Sequence, residues 1–481
     1  KMSILDTFLD TTERRRDQTA IIDGAGRPIS FSDLASWSAT LAGQWRAKGI
    51  GKGDRVLLAV PLGHALYASL AALWRLGAVA VFPEPAMGLA GLRHAARSTQ
   101  PKAYLSSGML SVLGYVVPEL WPVARRLSPG IAPRVARDTP AILEPLDDDH
   151  PALISFTSGS TGVPKAIERT HGFLLSQHRA VATLLASVRT DQCDLIAFPV
   201  FVLVNLALGI TSALPPWKVT RHDRADMDAL AAFARTHRVT RLLAPPAICE
   251  RMAGTPAAQC FDAIFTGGGP VFPDLLQRLL AENPRLAITA VYGSTEAEPI
   301  AHLDSSAITV SDWHAMKSGG GLLAGTPVPE IALRLIDGEI VVTGNHVNKS
   351  YMDPSRNAAT KLDIDGEIWH RTGDAGRLDD QGRLWLLGRL DGRVGALYPF
   401  AIEAAARFWP GVRRAALSST PSGAILAIEG NADRQPAWAR AAAGLGVDRV
   451  VLLDRIPLDR RHRSKVDYTA LAAAVTKAAR H

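Results

Sequence analysis

Nine consecutive residues of this 481-residue chain gather the groups needed to grip an anion: Thr157-Ser158-Gly159-Ser160-Thr161-Gly162-Val163-Pro164-Lys165. Glycine lets backbone N–H groups come close to an anion, and hydroxyls add further donors. Lys165 supplies a positive charge on a long stem. The apolar run at residues 152–156 reads as a buried strand, and Ala166-Ile167-Glu168-Arg169 as a second short strand. Thr170 then stands where it would cap a helix carrying Phe173, Leu174, Leu175, Val181 and Leu184. The expected context is strand, mobile loop, strand, helix. This excludes a Walker A loop, which needs Gly-Lys-Ser/Thr opening a helix. Here Pro164 precedes the lysine and Ala166 follows it.

The stretch closely resembles the phosphate-binding loop of the acyl-adenylate-forming enzymes, which include acyl- and aryl-CoA ligases, peptide-synthetase adenylation domains and luciferases. Companion motifs follow in order. Ile264-Phe265-Thr266-Gly267-Gly268-Gly269-Pro270 is a strand running into three glycines, which allow backbone to lie against a planar ligand. It is similar to that family's adenine-binding loop. Tyr292-Gly293-Ser294-Thr295-Glu296 offers an aromatic face for a purine, a hydroxyl for a phosphate and a carboxylate for Mg²⁺, which prefers hard oxygen ligands shared with phosphates. Asp374, at the expected end of a strand, can accept from two ribose hydroxyls. Arg389 follows fifteen residues later and can reach ribose or phosphate with its planar fork. Near the C-terminus, Ser464-Lys465-Val466-Asp467 resembles the family's closing lysine motif.

The resemblance implies a set of roles. Thr157, Ser158, Gly159, Ser160, Thr161, Gly162 and Lys165 would hold the β- and γ-phosphates of ATP. Glu296 would hold Mg²⁺, and Thr295 would donate to phosphate. Gly268, Gly269, Pro270, Tyr292 and Gly293 would frame adenine, while Asp374 and Arg389 would fix ribose. Lys465 would bridge the substrate carboxylate and the α-phosphate. The catalytic set is then Thr161, Lys165, Glu296 and Lys465, and Asp391 would be a hinge. Phe201, Val202 and Val204 follow a Pro-x-Phe string that the family places at the mouth of the acyl pocket. Val202 occupies a place where histidine is common there, which points to an apolar pocket.

The elements that must position these groups alternate. Residues 20–22, 55–60 and 77–83 read as strands, and residues 242–244 as a strand ending in a loop. Helices are expected over 65–76 and over the segment carrying Leu34, Trp37, Leu41 and Trp45, capped by Ser30 or Ser32. Residues 100–150 are loop-rich in proline, and Asp147-Asp148-Asp149 reads as a solvated loop rather than a metal site. Alternation of this kind predicts an α/β fold. The resemblance implies a large N-terminal domain, 1–390, of two mixed or parallel sheets with helices and a small barrel-like β region. A small mobile α+β domain, 391–481, would follow.

Composition excludes several classes. A hydrophobic content of 47% against 21% charged is that of a globular chain, and no apolar run approaches a membrane span. Three widely spaced cysteines form no metal pattern, and they suit a reducing, cytoplasmic setting. The net charge of +7 comes with no nucleic-acid module, so a polyphosphate is the expected anion.

Expected partners are a carboxylic acid and, for the second step, CoA or the phosphopantetheine of an acyl or peptidyl carrier protein. The chain departs from CoA-forming relatives after the hinge. Asp391-Gly392-Arg393-Val394-Gly395-Ala396-Leu397-Tyr398-Pro399 lacks their Lys-x-x-Gly run. It looks more like β-lactone synthetases of the olefin-biosynthesis type. Thioester formation, internal capture by a β-hydroxyl, capture by an amine, and a non-catalytic nucleotide-binding role all stay open at this level.

Overall fold

A computed structural model describes residues 3–84, 87–132, 142–157, 163–421, 423–459 and 465–478. The chain forms two compact units. One comprises Lys1–Arg221, Ala229–Leu243 and Asn345–Ala359, and the other His222–Asp228, Ala244–Gly344 and Thr360–His481.

The first unit carries a six-stranded sheet in the order Arg125–Leu127, Ala103–Ser106, Arg55–Ala59, Val79–Val81, Pro151–Thr157, Lys165–Thr170. Its strands are parallel except the last pair. Parallel strands are covered on both faces, so they are written as continuous apolar runs. Leu57, Val79, Val81, Tyr104, Ile154 and Phe156 accordingly share one core with Leu92, Ala95 and Ala96 of the helix Gly88–Thr99. Within the proline-rich region the chain still forms two short strands, Ala103–Ser106 and Arg125–Leu127, which extend the sheet.

The same unit holds parallel strands Cys193–Ile196, Arg241–Ala244, Thr211–Ala213 and Thr19–Ile22. The helices form as expected. Ser30 caps Phe31–Ala47 by accepting from the Asp33 N–H, and a further helix spans His64–Arg75. A departure follows the strand Arg241–Ala244. Where a loop was expected, Pro246 opens a short helix, Pro246–Met252. Proline fits a first helical turn because the N–H it lacks has no partner there anyway.

The second unit pairs Ala263–Gly267 with Ala287–Ser294 in parallel, then turns antiparallel through Ala297–Asp304 and Leu322–Pro327. Leu384–Arg389, Glu367–Leu378, Glu339–Gly344 and Ile331–Ile336 continue that antiparallel run. Its C-terminal part is a smaller α/β assembly of Val412–Thr420, Gly423–Gly430 and Arg449–Leu452. Helices Pro399–Ala406, Gln435–Gly444 and Tyr468–Ala478 supply the core around Ile402, Leu417, Leu426, Trp438, Leu471 and Val475. Among the described residues, no helix is long and apolar enough to cross a membrane.

One buried ion pair anchors the first unit. Asp194, fully buried, accepts from Arg241 Nε and Nη2 at 2.7 Å each and from Asn205 Nδ2 at 3.0 Å. Removing one partner strands the other charge in the core. Asp194→Ala should therefore lower unfolding stability by about 3–5 kcal/mol, whereas Asp54→Ala, which breaks the surface pair with Lys102, should cost less than about 1 kcal/mol. Urea denaturation of both variants checks this, and equal losses would contradict it.

Candidate active site

In the first unit the strands on either side of the glycine-hydroxyl stretch pair antiparallel. Thr157 ends one strand and Lys165 begins the next, and the two are cross-strand partners. Thr170 then caps the helix His171–Leu185 by accepting from the Phe173 N–H at 3.1 Å. The two strands and the helix come in the expected order. Ser158, Gly159, Ser160, Thr161 and Gly162 lie outside the described residues. The Lys165 ammonium sits 5.2 Å from the centre of the Tyr351 ring, a cation–π contact at the charged end of the side chain. The Pro164 carbonyl lies 3.2 Å from His94 Nε2.

Phe201, Val202 and Val204 all fall on the helix Pro199–Leu208. Val202 and Val204 are buried, and Phe201 is half-buried with its ring edge-on to Phe198. Leu203 and Leu206 of the same helix border a small apolar cavity with Phe8, Leu34, Tyr67 and Trp74.

The second unit gathers most of the other candidates through strand register. Gly267 pairs with Val291, so Gly268, Gly269 and Pro270 leave one strand at the level where Tyr292 and Gly293 continue its parallel neighbour. Ligands of parallel sheets gather at such carboxyl ends. Gly268 has φ +76°, a left-handed conformation that suits glycine. Thr295 and Glu296 form the two-residue turn between Ala287–Ser294 and Ala297–Asp304.

Asp374 is the centre of this group. It lies inside the strand Glu367–Leu378, not at its end, and pairs directly with Arg389. The preceding Gly373 has φ +72°, and a Cβ there would lie 2.5 Å from Arg389 Nη2. The glycine thus leaves room for the guanidinium to lie over the backbone. Tyr292 O–H donates to Asp374 Oδ2 at 2.7 Å, and Arg389 Nη1 donates to Asp374 Oδ1 at 3.1 Å and to the Thr372 carbonyl at 2.6 Å. Burial, with the Asp374 carboxylate adding to it, pushes the Tyr292 phenol well above its ordinary range, so it remains a donor. Burial alone would pull the Arg389 guanidinium down, but the charge and hydrogen bond of Asp374 together with the Asp391 charge outweigh it and raise it. A carboxylate offers about four acceptor positions. Tyr292 and Arg389 use one on each oxygen, which leaves an acceptor position on each for two adjacent hydroxyls.

Sequence reasoning missed two supports of this group. Glu339, buried, accepts from Arg371 Nε and Nη2 at 2.8 and 2.6 Å and from the Gly373 N–H at 3.0 Å. The Thr372 hydroxyl accepts from the Asp374 N–H at 3.0 Å and donates to the Ile340 carbonyl at 2.7 Å. Asp337-Gly338-Glu339 reads locally as a polar turn, and only the strand pairing reveals its second purpose.

Asp391 lies in a single turn, Leu390–Gly392, with its side chain 75% exposed. Lys465 is exposed, and its backbone is bracketed by Asp459. Its N–H donates to Asp459 Oδ1 at 3.0 Å, and its carbonyl accepts from the Asp459 N–H at 2.8 Å.

Among the described residues, no cluster of three or more His, Cys, Asp or Glu side chains could hold a metal by itself. A carboxylate in a turn, such as Glu296, fits an ion that arrives with substrate phosphates as its other ligands.

The AMP-binding enzyme family model matches residues 8–352. The chain is 28% identical to the olefin β-lactone synthetase of Stenotrophomonas maltophilia (strain K279a), over 92% of this chain and 90% of that protein. It is 30% identical to a feruloyl-CoA synthase of an Amycolatopsis species, over 91% and 92%. The Bacillus subtilis o-succinylbenzoate coenzyme A synthetase, solved with ATP and magnesium ion, shares the fold with a TM-score of 0.74 at 22% identity, over 97% and 98%. The chain belongs to the AMP-binding enzyme family. It is a ligase of the adenylate-forming type, and its first reaction activates a carboxylic acid as an acyl-adenylate.

The hydrogen bonds at Asp374 set an order of effects. Tyr292→Phe removes one neutral donor and should raise the KM for ATP by about two- to tenfold, while Asp374→Ala removes a charged acceptor and should raise it by about ten- to a hundredfold. Steady-state pyrophosphate release at varied ATP measures both. Should Asp374→Ala leave the KM unchanged, this carboxylate has no part in holding the nucleotide.

Proposed function

We propose that the chain binds ATP with Mg²⁺ and a small carboxylic acid, forms the acyl-adenylate, and passes the acyl group to a thiol. The observation that carries the nucleotide assignment is Asp374 held between Tyr292 and Arg389, with one acceptor position left on each oxygen. In this reading Tyr292 and Gly268-Gly269-Pro270 frame the base, while Asp374 and Arg389 hold the ribose. Thr157, the hydroxyls through Thr161, and Lys165 hold the terminal phosphates, with Glu296 holding the magnesium that neutralises them.

The chemistry is a displacement at phosphorus. A carboxylate oxygen attacks the α-phosphorus, the bond to the β-phosphate oxygen breaks, and pyrophosphate leaves with the electron pair. Two anions must meet, so the protein's work is alignment and charge stabilisation, with no protein nucleophile. Lys165 offsets the charge on the leaving pyrophosphate. Lys465 offsets the charge at the reacting oxygens.

We place the domain boundary at 390, with Asp391 as hinge. In support, the residues beyond it have a core of their own around Ile402, Leu417, Leu426 and Trp438. Rotation there would withdraw Lys465 and admit the acceptor. The thiol sulfur, of CoA or of a carrier protein's phosphopantetheine, then attacks the acyl carbon, and AMP departs. Three free thiols and a reaction driven by ATP fit a cytoplasmic setting.

A second reading has its own support. The post-hinge segment folds into a tight turn. Arg393 Nε donates to the Gly395 carbonyl at 2.7 Å, and its guanidinium lies 5.1 Å from the Tyr398 ring centre. With the olefin β-lactone synthetase among its relatives, the chain could close a β-hydroxyl of the same acyl group onto the acyl carbon. That would release AMP and leave a four-membered lactone.

Lys465→Ala should lower acid-dependent ATP–pyrophosphate exchange by about a hundredfold or more and leave ATP affinity within about twofold. Equal loss of both would remove the assigned role. Incubation of β-hydroxy and plain acids with ATP, with and without CoA, separates the second steps. A thioester formed only with CoA supports the thiol acceptor, and a lactone formed without it supports internal capture. No pyrophosphate release with any acid class would defeat the proposal.

A further inference from the structure

The helix Pro399–Ala406, just beyond the proposed hinge, buries a carboxylic acid that the reaction does not use. Glu403 is fully buried. Its Oε1 accepts from the Leu417 N–H at 2.9 Å and from the Tyr468 O–H at 2.8 Å, and its buried Oε2 has no hydrogen-bond partner among the described residues. Arg407, one turn further along, spends its hydrogen bonds on Asp274 and Glu250. Burial pushes the Glu403 carboxyl up to about 7. An apolar side chain would fill this position at lower cost. What the carboxyl does that an apolar group cannot is tie three elements at one point: its own helix, the strand Val412–Thr420 through Leu417, and the helix Tyr468–Ala478 through its first residue.

That first residue stands three places after Lys465. The segment between them is held locally. Val466 bridges to Leu458, the Asp467 N–H donates to the Pro457 carbonyl at 3.0 Å, and Asp467 Oδ1 accepts from the Ala470 N–H at 3.0 Å. These bonds stay within about ten residues of the lysine. The Tyr468–Glu403 bond instead crosses 65 positions to reach the helix that follows the hinge.

We propose that Glu403 is a positioning residue that, through Tyr468, fixes the Lys465 segment to the post-hinge helix, so that lysine and helix swing as one body. This rests on the reading of Lys465 given above. A lysine that must reach a reacting oxygen after a rotation is useful only if the rotation carries it to one defined place, and a loosely tethered loop would blur that place.

Tyr468→Phe deletes the donor with little change of shape. It should lower kcat for acid-dependent ATP–pyrophosphate exchange by about tenfold, with the KM for ATP within about twofold, because alignment is lost and nucleotide binding is not. Glu403→Ala should match it. Glu403→Gln keeps an oxygen that can accept both bonds and should recover most of the rate. If Glu403→Ala fails to fold, Tyr468→Phe decides the matter. A wild-type kcat in Tyr468→Phe, or a Glu403→Gln as slow as Tyr468→Phe, overturns the proposal. Lys465→Ala run alongside separates the two failures. Wild-type exchange in that variant defeats the lysine reading. Its loss, with Tyr468→Phe unaffected, defeats only the role of Glu403.

Discussion

The proposed nucleotide site depends on one carboxylate being held fast without being used up. Asp374 is fixed by strand pairing with Arg389, by Tyr292 on one oxygen and by Arg389 on the other. Were the two neighbours to take both lone pairs of each oxygen, nothing would remain for a ligand. Were both absent, the carboxylate would turn freely and lose its alignment. The arrangement lies between these limits, and Glu339 and Thr372 hold the backbone on which it rests. The same economy runs through the parallel strand ends, where Gly268 and Tyr292 emerge side by side because Gly267 and Val291 share a register.

Much of this was legible because the signals were local. The two strands flanking the hydroxyl-glycine stretch and the Thr170 cap depend on residue type within a short window, and they form where the pattern places them. The resemblance put Tyr292, Asp374 and Arg389 around one nucleotide, but their direct hydrogen bonds to one another were not legible. They require a strand pairing between positions 374 and 389 and a contact across 82 residues. Glu339 was invisible for the same reason. The helix Pro199–Leu208 was obscured differently. Its residues are almost all apolar, so helical periodicity has no polar face to show against.

The helix after the proposed hinge shows how burial treats two charges one turn apart. Arg407 enters the interior with partners from two other helices, Glu250 and Asp274, and stacks 4.5 Å from the Phe272 ring centre. It remains charged, and burial is outweighed by its neighbours. Glu403 enters with only neutral donors, and burial prevails. In sequence the two are an ordinary i, i+4 acid–base pair, the pattern of a solvated helix face. The structure turns both inward and sends their hydrogen bonds to different partners. Arg407 joins the helix to Glu250 and Asp274, and Glu403 joins it to Tyr468.

That division bears on how a mobile segment can be both loose and exact. The rotation proposed about Asp391 would part the Arg407 pairs with Glu250 and Asp274, and each charge would have to regain water to make up for the lost partner. The same proposed rotation would spare the Tyr468–Glu403 bond, which lies wholly beyond residue 391. Ion pairs suit a surface that parts and rejoins, because both charges are well solvated when apart. A half-buried phenol on a buried acid suits an inner joint, because opening it would strand two polar groups in an apolar interior. The chemistry of each bond thus matches its place relative to the proposed hinge: ionic where it reaches back before residue 391, neutral where it stays beyond it.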